Sequence, residues 1–152
     1  MAISRGAGTE IIRTANFEDV ANTLQKLIVG VQHHIYTVLS LVCFCSEKSG
    51  TEKGYLRLQG YDSVGGTTNQ TIQICVVDTA GDETFVWNDK FSFNGCEPAN
   101  FTGPMDDATK QDAIADQYPS NGSPVSQYLA FLTDSANTKF DLVLTYIDQN
   151  NA

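Results

Sequence analysis

The apolar residues of this chain recur mostly with the period of a strand. In residues 55–61, Leu56 and Leu58 fall on one side and Arg57 and Gln59 on the other; in residues 71–77, Ile72, Ile74 and Val76 alternate with Thr71, Gln73, Cys75 and Val77. A period of two with β-branched residues is the signature of a half-buried strand. Residues 27–31 and 35–45 are denser in apolar side chains, and 35–45 is apolar in both alternating sets, which predicts a central strand covered on both faces. The charged stretch 46–54 then reads as the turn of a hairpin joining 35–45 to 55–61. Turns at 62–70, which holds Gly65-Gly66, and at 78–82 lead to further strands at 83–87 and 90–95. Two last strands, 128–133 and 140–147, are joined by the turn 134–137, and the chain ends in a polar tail. Ahead of all these, 9–14 predicts a short edge strand after a Gly-containing arm. The helical spacing of Phe17, Val20, Ala21 and Leu24, with Asn16 as a cap, predicts one or two helical turns.

One stretch breaks the rhythm. Residues 96–127 form a 32-residue connection that holds Pro98, Pro104, Pro119 and Pro124. Connections of this length in compact domains usually have structure or a role of their own. A short helix at 106–116 fits it, with Asp106 and Asp107 placed to complement the N-terminal dipole. There is no repeat, low-complexity tract or linker, so the 152 residues read as one domain: an N-terminal arm (1–15), a β-sandwich body and a long loop insertion (96–127). Short strands separated by turn signals indicate an antiparallel sandwich or barrel rather than a parallel sheet.

Charge narrows the partners. Nine Lys+Arg against 18 Asp+Glu give a net charge of −9, with no basic cluster. Phosphate backbones and anionic lipid surfaces demand the opposite sign, so neither nucleic acid nor a membrane is expected as a partner. The first ten residues hold no apolar core of a signal peptide, and no apolar run reaches about 18 residues, so synthesis and folding in the cytosol are expected. Cys43, Cys45 and Cys75 lie in apolar runs and are expected as free, buried thiols.

Each candidate chemistry meets a plainer alternative. His33-His34 would need further converging ligands to hold a metal, and adjacent residues on extended backbone point apart, so a polar turn is expected. The acidic sets Asp78, Asp82, Glu83 and Asp106, Asp107, Asp112, Asp116 lack the alternating spacing of a calcium loop. No nucleophile elbow and no Gly-rich phosphate loop occur. No cofactor, no metal and no catalysis are therefore expected. The aromatics Tyr55, Tyr61, Trp87, Phe91, Phe93, Phe101, Tyr118 and Tyr128 suit a core first, then a subunit interface or a sugar-stacking platform.

Three segments carry a resemblance. Residues 27–40, from Leu27-Ile28-Val29-Gly30 to Tyr36-Thr37-Val38-Leu39-Ser40, resemble the opening hairpin of the small β-sandwich virion proteins of tailed bacteriophages. Residues 81–95, with Gly81-Asp82-Glu83-Thr84-Phe85 and Asp89-Lys90-Phe91, are similar to their Gly-acidic-Thr segment, and 140–148 resembles their final strand. The resemblance implies an all-β, antiparallel, jelly-roll-like β-sandwich. It also implies a non-enzymatic role in the virion, as a capsid decoration or cement protein that self-associates and binds other virion proteins such as the major capsid protein. The arm and the long loop are the expected contacts, through Ile11, Ile12 and Arg13 and through Phe101, Met105 and Tyr118. The other functional expectation is a carbohydrate-binding module of a tail or fibre, using Tyr118 and Tyr128.

Overall fold

The computed structural model describes residues 8–62, 67–98 and 124–150. Eleven strands are found there and no helix: β1 (Thr9–Val20), β2 (Gln25–Val29), β3 (His34–Glu47), β4 (Gly54–Asp62), β5 (Thr67–Val77), β6 (Thr84–Trp87), β7 (Phe91–Asn94), β8 (Cys96–Pro98), β9 (Pro124–Ser126), β10 (Tyr128–Thr133) and β11 (Lys139–Asn150). They form a sheet in the order β1-β11-β3-β6, with β7 also on β3, a second sheet in the order β2-β10-β4-β5, and the small pair β8-β9. All the pairings are antiparallel. The core draws on both sheets: Leu41, Cys43, Phe140, Leu142 and Leu144 from the first, Leu56, Leu129 and Phe131 from the second. Phe131 and Phe140 meet edge-on with centroids 5.5 Å apart. Apolar burial across this interior supplies the main favourable term in folding.

β3 lies between β11 and β6/β7, as a central strand should, but it is not covered on both faces. Tyr36, Val38, Leu41, Cys43 and Cys45 are buried, while Thr37, Ser40, Val42 and Phe44 are half-buried. The shift of parity between Val38 and Leu41 has a visible cause. Ser40 pairs with Thr145 and Val38 with Tyr146, so Leu39 is an extra residue, a β-bulge that re-phases the strand without turning it out of the core. The doubly apolar sequence is thus two one-sided strands in tandem.

Three expectations fail for identifiable reasons. The helical turns expected at 16–25 are instead the end of β1 and the start of β2, because Phe17 and Val20 face Leu142 and Phe140 in the sheet. The helical spacing of these residues reflects the bulge between Phe17 and Val20, where Asp19 has φ 52°, a conformation Asp tolerates. The hairpin of β3 with β4 does not form; the two strands lie in different sheets, since each needs an apolar surface facing its inward side chains. The same holds for β2 and β3 in the segment that resembles an opening hairpin. The short helix expected at 106–116 lies outside the described residues.

Phe93 is buried, and Phe85, Trp87 and Phe91 pack against the core as the sequence suggests. At one end of the molecule the two sheets approach closely. Gly30 N–H donates to Gln127 O (2.7 Å), Gln127 N–H to Gly95 O (2.8 Å) and Gly95 N–H to His34 O (2.8 Å). A side chain at Gly30 or Gly95 would collide with backbone, so both positions require glycine for close approach. This junction sits at the root of the long connection, whose two ends pair as β8-β9 through Cys96↔Ser126, Glu97↔Val125 and Pro98↔Pro124.

Candidate assembly surface

β1 is an edge strand whose one sheet neighbour among the described residues is β11. From Thr9↔Asn150 to Phe17↔Leu142 the register runs unbroken for nine residues. These nine contain no lysine and no proline, the residues that most often blunt a sheet edge. The backbone groups on the other side of β1 therefore form a template for a further strand. Ile11 and Ile12 are consecutive, so they lie on opposite faces, Ile11 beside Asp148 and Ile12 beside Ile147. They are 47% and 70% exposed.

Arg13 is tied to the body. Its Nε donates to Asp148 Oδ2 at 3.2 Å, and its side chain is about half exposed. The other carboxylate oxygen, Oδ1, is 2.7 Å from His34 Nδ1. Asp148 is itself buried, so a charge from β11 is compensated from both neighbours, Arg13 of β1 and His34 of β3. His34 stacks on Tyr36, which also meets Phe93 and Tyr146. Burial raises the phenol pKa of Tyr36 and of Tyr146 above the usual tyrosine range. The sequence reading missed this cluster because Asp148 falls in a run that looks like a polar tail; the signal was the continuing alternation through Leu142, Leu144, Tyr146 and Asp148.

The outer face of the first sheet continues from Ile12. Cross-strand rows Ile12–Ile147–Thr37–Ser92, Thr14–Thr145–Ser40 and Asn16–Val143–Val42–Val86 contain no ionisable group. Hydroxyls pair along it, Thr37 with Ser92 at 2.8 Å and Thr14 with Thr145 at 3.4 Å. Val86 and Val143 are exposed there. Phe101, Met105 and Tyr118, the expected contacts on the long loop, lie outside the described residues.

At the root of that loop the polar groups satisfy one another. Gln127 Nε2 donates to Asn94 O (3.0 Å) and Oδ1 (2.6 Å), Asn94 Nδ2 to Glu97 Oε1 (2.6 Å), and Ser126 Oγ to Gly30 O (2.7 Å). Burial raises the Glu97 pKa, opposed by the Asn94 amide.

The chemical candidates resolve into structural ones. All four cysteines are free thiols, with Cys43 and Cys45 buried. Burial, with a smaller contribution from Cys75, pushes Cys43 up to about 12, and burial raises Cys45, Cys75 and Cys96 as well, the reverse of a nucleophilic thiol. Asp78 accepts from Lys48 Nζ (3.2 Å) and Lys53 Nζ (3.3 Å), an exposed ion-pair set that lowers its pKa. His33 is a turn residue with φ 68°. Among the described residues no group of three or more His, Cys, Asp or Glu is placed to hold a metal ion, and no helix is long and apolar enough to cross a membrane.

No protein-family model matches the chain, and no curated protein sequence matches it. Solved structures do. A chain of Bacillus endospore appendages, a family of disulfide-linked pili, aligns over 100% of this chain and 97% of its own at 12% identity, with a TM-score of 0.45. A chain of the T13 viral particle of infectious bursal disease virus aligns over 98% of this chain at 8% identity and a TM-score of 0.43. A chain of the Gx strain of that virus aligns over 98% at 9% identity and 0.40. This chain spans 36% and 38% of those two viral chains.

Proposed function

We propose that this chain is a non-enzymatic structural subunit of a bacteriophage virion, a capsid decoration or cement protein. It stabilises the shell from outside through the segment 1–15 and the connection 96–127. The observation that carries the reading is the β1 edge, nine regular residues free of lysine and proline with Ile11 and Ile12 exposed on its two faces. An edge of that kind is a hazard in a protein that works alone and a joint in one that assembles.

The strand order supports the same reading. If β6 and β7 are counted as one interrupted strand and β8-β9 as an appendage, the sheets run 1-8-3-6 over 2-7-4-5, the connectivity of a jelly roll. Viral capsid and lectin domains use that architecture, though a fold alone assigns no function. The reading takes the 152 residues as one domain, a length typical of a single domain. Its partners are further copies of itself and the major capsid protein, with no nucleic acid and no membrane, and a net charge of −9 suits the shell exterior better than the DNA-facing side.

Sedimentation velocity on the full chain and on Ile12→Lys tests the reading. Ile12 is 70% exposed, so the variant should keep its circular dichroism and melting temperature. The wild-type chain is expected to form concentration-dependent oligomers and the variant to associate markedly more weakly. A wild-type chain that is monomeric at every concentration would refute the assembly role, and a glycan-array signal indifferent to Ile12→Lys would favour a carbohydrate-binding module instead.

A further inference from the structure

We infer that the outer face of the β2-β10-β4-β5 sheet docks the acidic surface of a second copy of this chain. The inference rests on the assembly reading above and names a second contact for it, away from the β1 edge.

The face is built around one cross-strand row, Lys26–Ala130–Arg57–Gln73, one residue from each strand of the sheet. Leu129 and Phe131, on either side of Ala130 in β10, point into the core, so this row points outward. Tyr128 and Leu132 flank Ala130 along β10, and Tyr55 and Gln59 flank Arg57 along β4. Ala130 is 1% exposed although it faces outward, as expected for a methyl group set low between larger neighbours.

The two cations of the row are held in place by rings. Lys26 Nζ sits 4.5 Å from the centroid of Tyr128, and the Arg57 guanidinium carbon 5.3 Å from that of Tyr55. Four other described cations are spent on carboxylates, Arg13 on Asp148, Lys48 and Lys53 on Asp78, and Lys139 on Glu47, while Lys90 stands alone among the described residues, away from this face. Among the described residues Lys26 and Arg57 have no carboxylate within ion-pair distance, and residues 25–29, 54–61, 67–77 and 128–133, which make up the sheet up to Tyr61 of β4, contain no aspartate or glutamate. Asp134, just beyond β10, takes the Tyr55 hydroxyl, which leaves the Arg57 guanidinium its free donors. The face is therefore a preorganised cationic and aromatic patch on a chain of net charge −9.

Charge complementarity selects the occupant. Copies of a chain at −9 repel one another unless their contacts place cations against carboxylates, and each copy carries both halves of such a contact. Because the two halves are different surfaces, the contact is heterologous and propagates into rings or open chains instead of stopping at a dimer. An arginine held on a tyrosine loses less side-chain freedom on meeting a carboxylate than a free one does, and its planar fork donates two hydrogen bonds to a carboxylate.

The test is sedimentation velocity of the full chain between about 0.01 and about 1 M NaCl, where the screening length falls from ~30 to ~3 Å. It is run for wild type, the double variant Lys26→Gln/Arg57→Gln, and the control Lys90→Gln. Wild type and control should lose roughly tenfold or more in association constant across that range. The double variant at low salt should already associate as weakly as wild type at high salt, with its melting temperature unchanged. If the double variant associates like wild type with the same salt slope, this inference is overturned while the assembly role stands. If wild type shows no association at any salt, both fall. If polyglutamate binds the patch with no effect of Lys26→Gln/Arg57→Gln on self-association, the patch serves an acidic ligand and not a second copy.

Discussion

One methyl group at Gly95 should cost this molecule a large part of its stability. A Cβ there would overlap the carbonyl oxygen of Val31 and lie 2.7 Å from the Val31 nitrogen, and one at Gly30 would overlap the Gly95 carbonyl and lie 2.5 Å from Gln127 O. The obstacles are backbone atoms, so no rotamer change relieves them. The strands would have to separate by about 1 Å or more to reach ordinary van der Waals contact. That separation breaks the chain of backbone hydrogen bonds that runs from Gly30 through Gln127 and Gly95 to His34. Each hydrogen bond lost with a buried peptide group left without a partner costs about 1–3 kcal/mol, and losing two of the three gives about 2–6 kcal/mol against a typical total of ~5–15 kcal/mol. Denaturant unfolding followed by the fluorescence of Trp87, the single tryptophan, measures it directly. Two internal controls calibrate the result. Gly50 has φ 53° and open space around it, so Gly50→Ala should cost only the left-handed backbone penalty of about 1–2 kcal/mol. Gly81 would place its Cβ 3.6 Å from Lys48 Cβ, an ordinary contact, and Gly81→Ala should be near neutral. If Gly95→Ala loses no more than Gly50→Ala, the close approach of the strands is not what holds this end of the sandwich.

Three further outcomes follow from the same structure. Asp148→Asn leaves Arg13 and His34 facing a neutral amide; because Arg13 is half exposed, a loss of about 1–3 kcal/mol is expected, together with faster amide exchange in β1, and unchanged exchange there would show that the ion pair does not hold the edge strand. Native-state alkylation at pH 8, mapped by mass spectrometry, should reach Cys96 and Cys75 well before Cys43, whose thiol is fully buried and raised to about 12; equal labelling would contradict its burial. Glu97 has a folded-state pKa above its unfolded one, so its contribution to stability is present below the unfolded value and lost as pH rises through the folded value. Glu97→Gln should therefore raise the melting temperature more at pH 7 than at pH 4, and the opposite order would reverse the sign assigned to its burial.

Period-two alternation was enough to find β10 with both of its ends at Tyr128 and Thr133, and to place β4, β6 and β7 within a residue or two. It could not reveal which strands share a sheet. β3 and β4 are neighbours in sequence with compatible patterns, and only the need to bury both inward faces puts them in opposite sheets. Bulges defeat pattern reading more directly: the extra residue at Leu39 makes one face look like two, and the irregularity after Phe17 turns strand spacing into helical spacing. β8 and β9 were invisible because three residues with a proline at the end of one and the start of the other carry no alternation at all. Of the candidate contacts, Ile11 and Ile12 do stand on an open edge, whereas the role of Arg13 as a tether depends on Asp148, 135 residues away.

The β8-β9 pair also makes a natural graft site. Pro98 and Pro124 are cross-strand partners, so whatever is spliced between them begins and ends about 5 Å apart, the spacing of paired strands. Closing a longer loop between two such posts adds only about 0.6 kcal/mol for each doubling of its length. A foreign peptide or small domain exchanged for residues 99–123 would load the entropy of its own closure onto β8-β9 and the Gly30–Gly95–Gln127 junction and leave the other nine strands untouched. Any lattice the protein builds through its strands would then become a scaffold for regular, multivalent display of the insert.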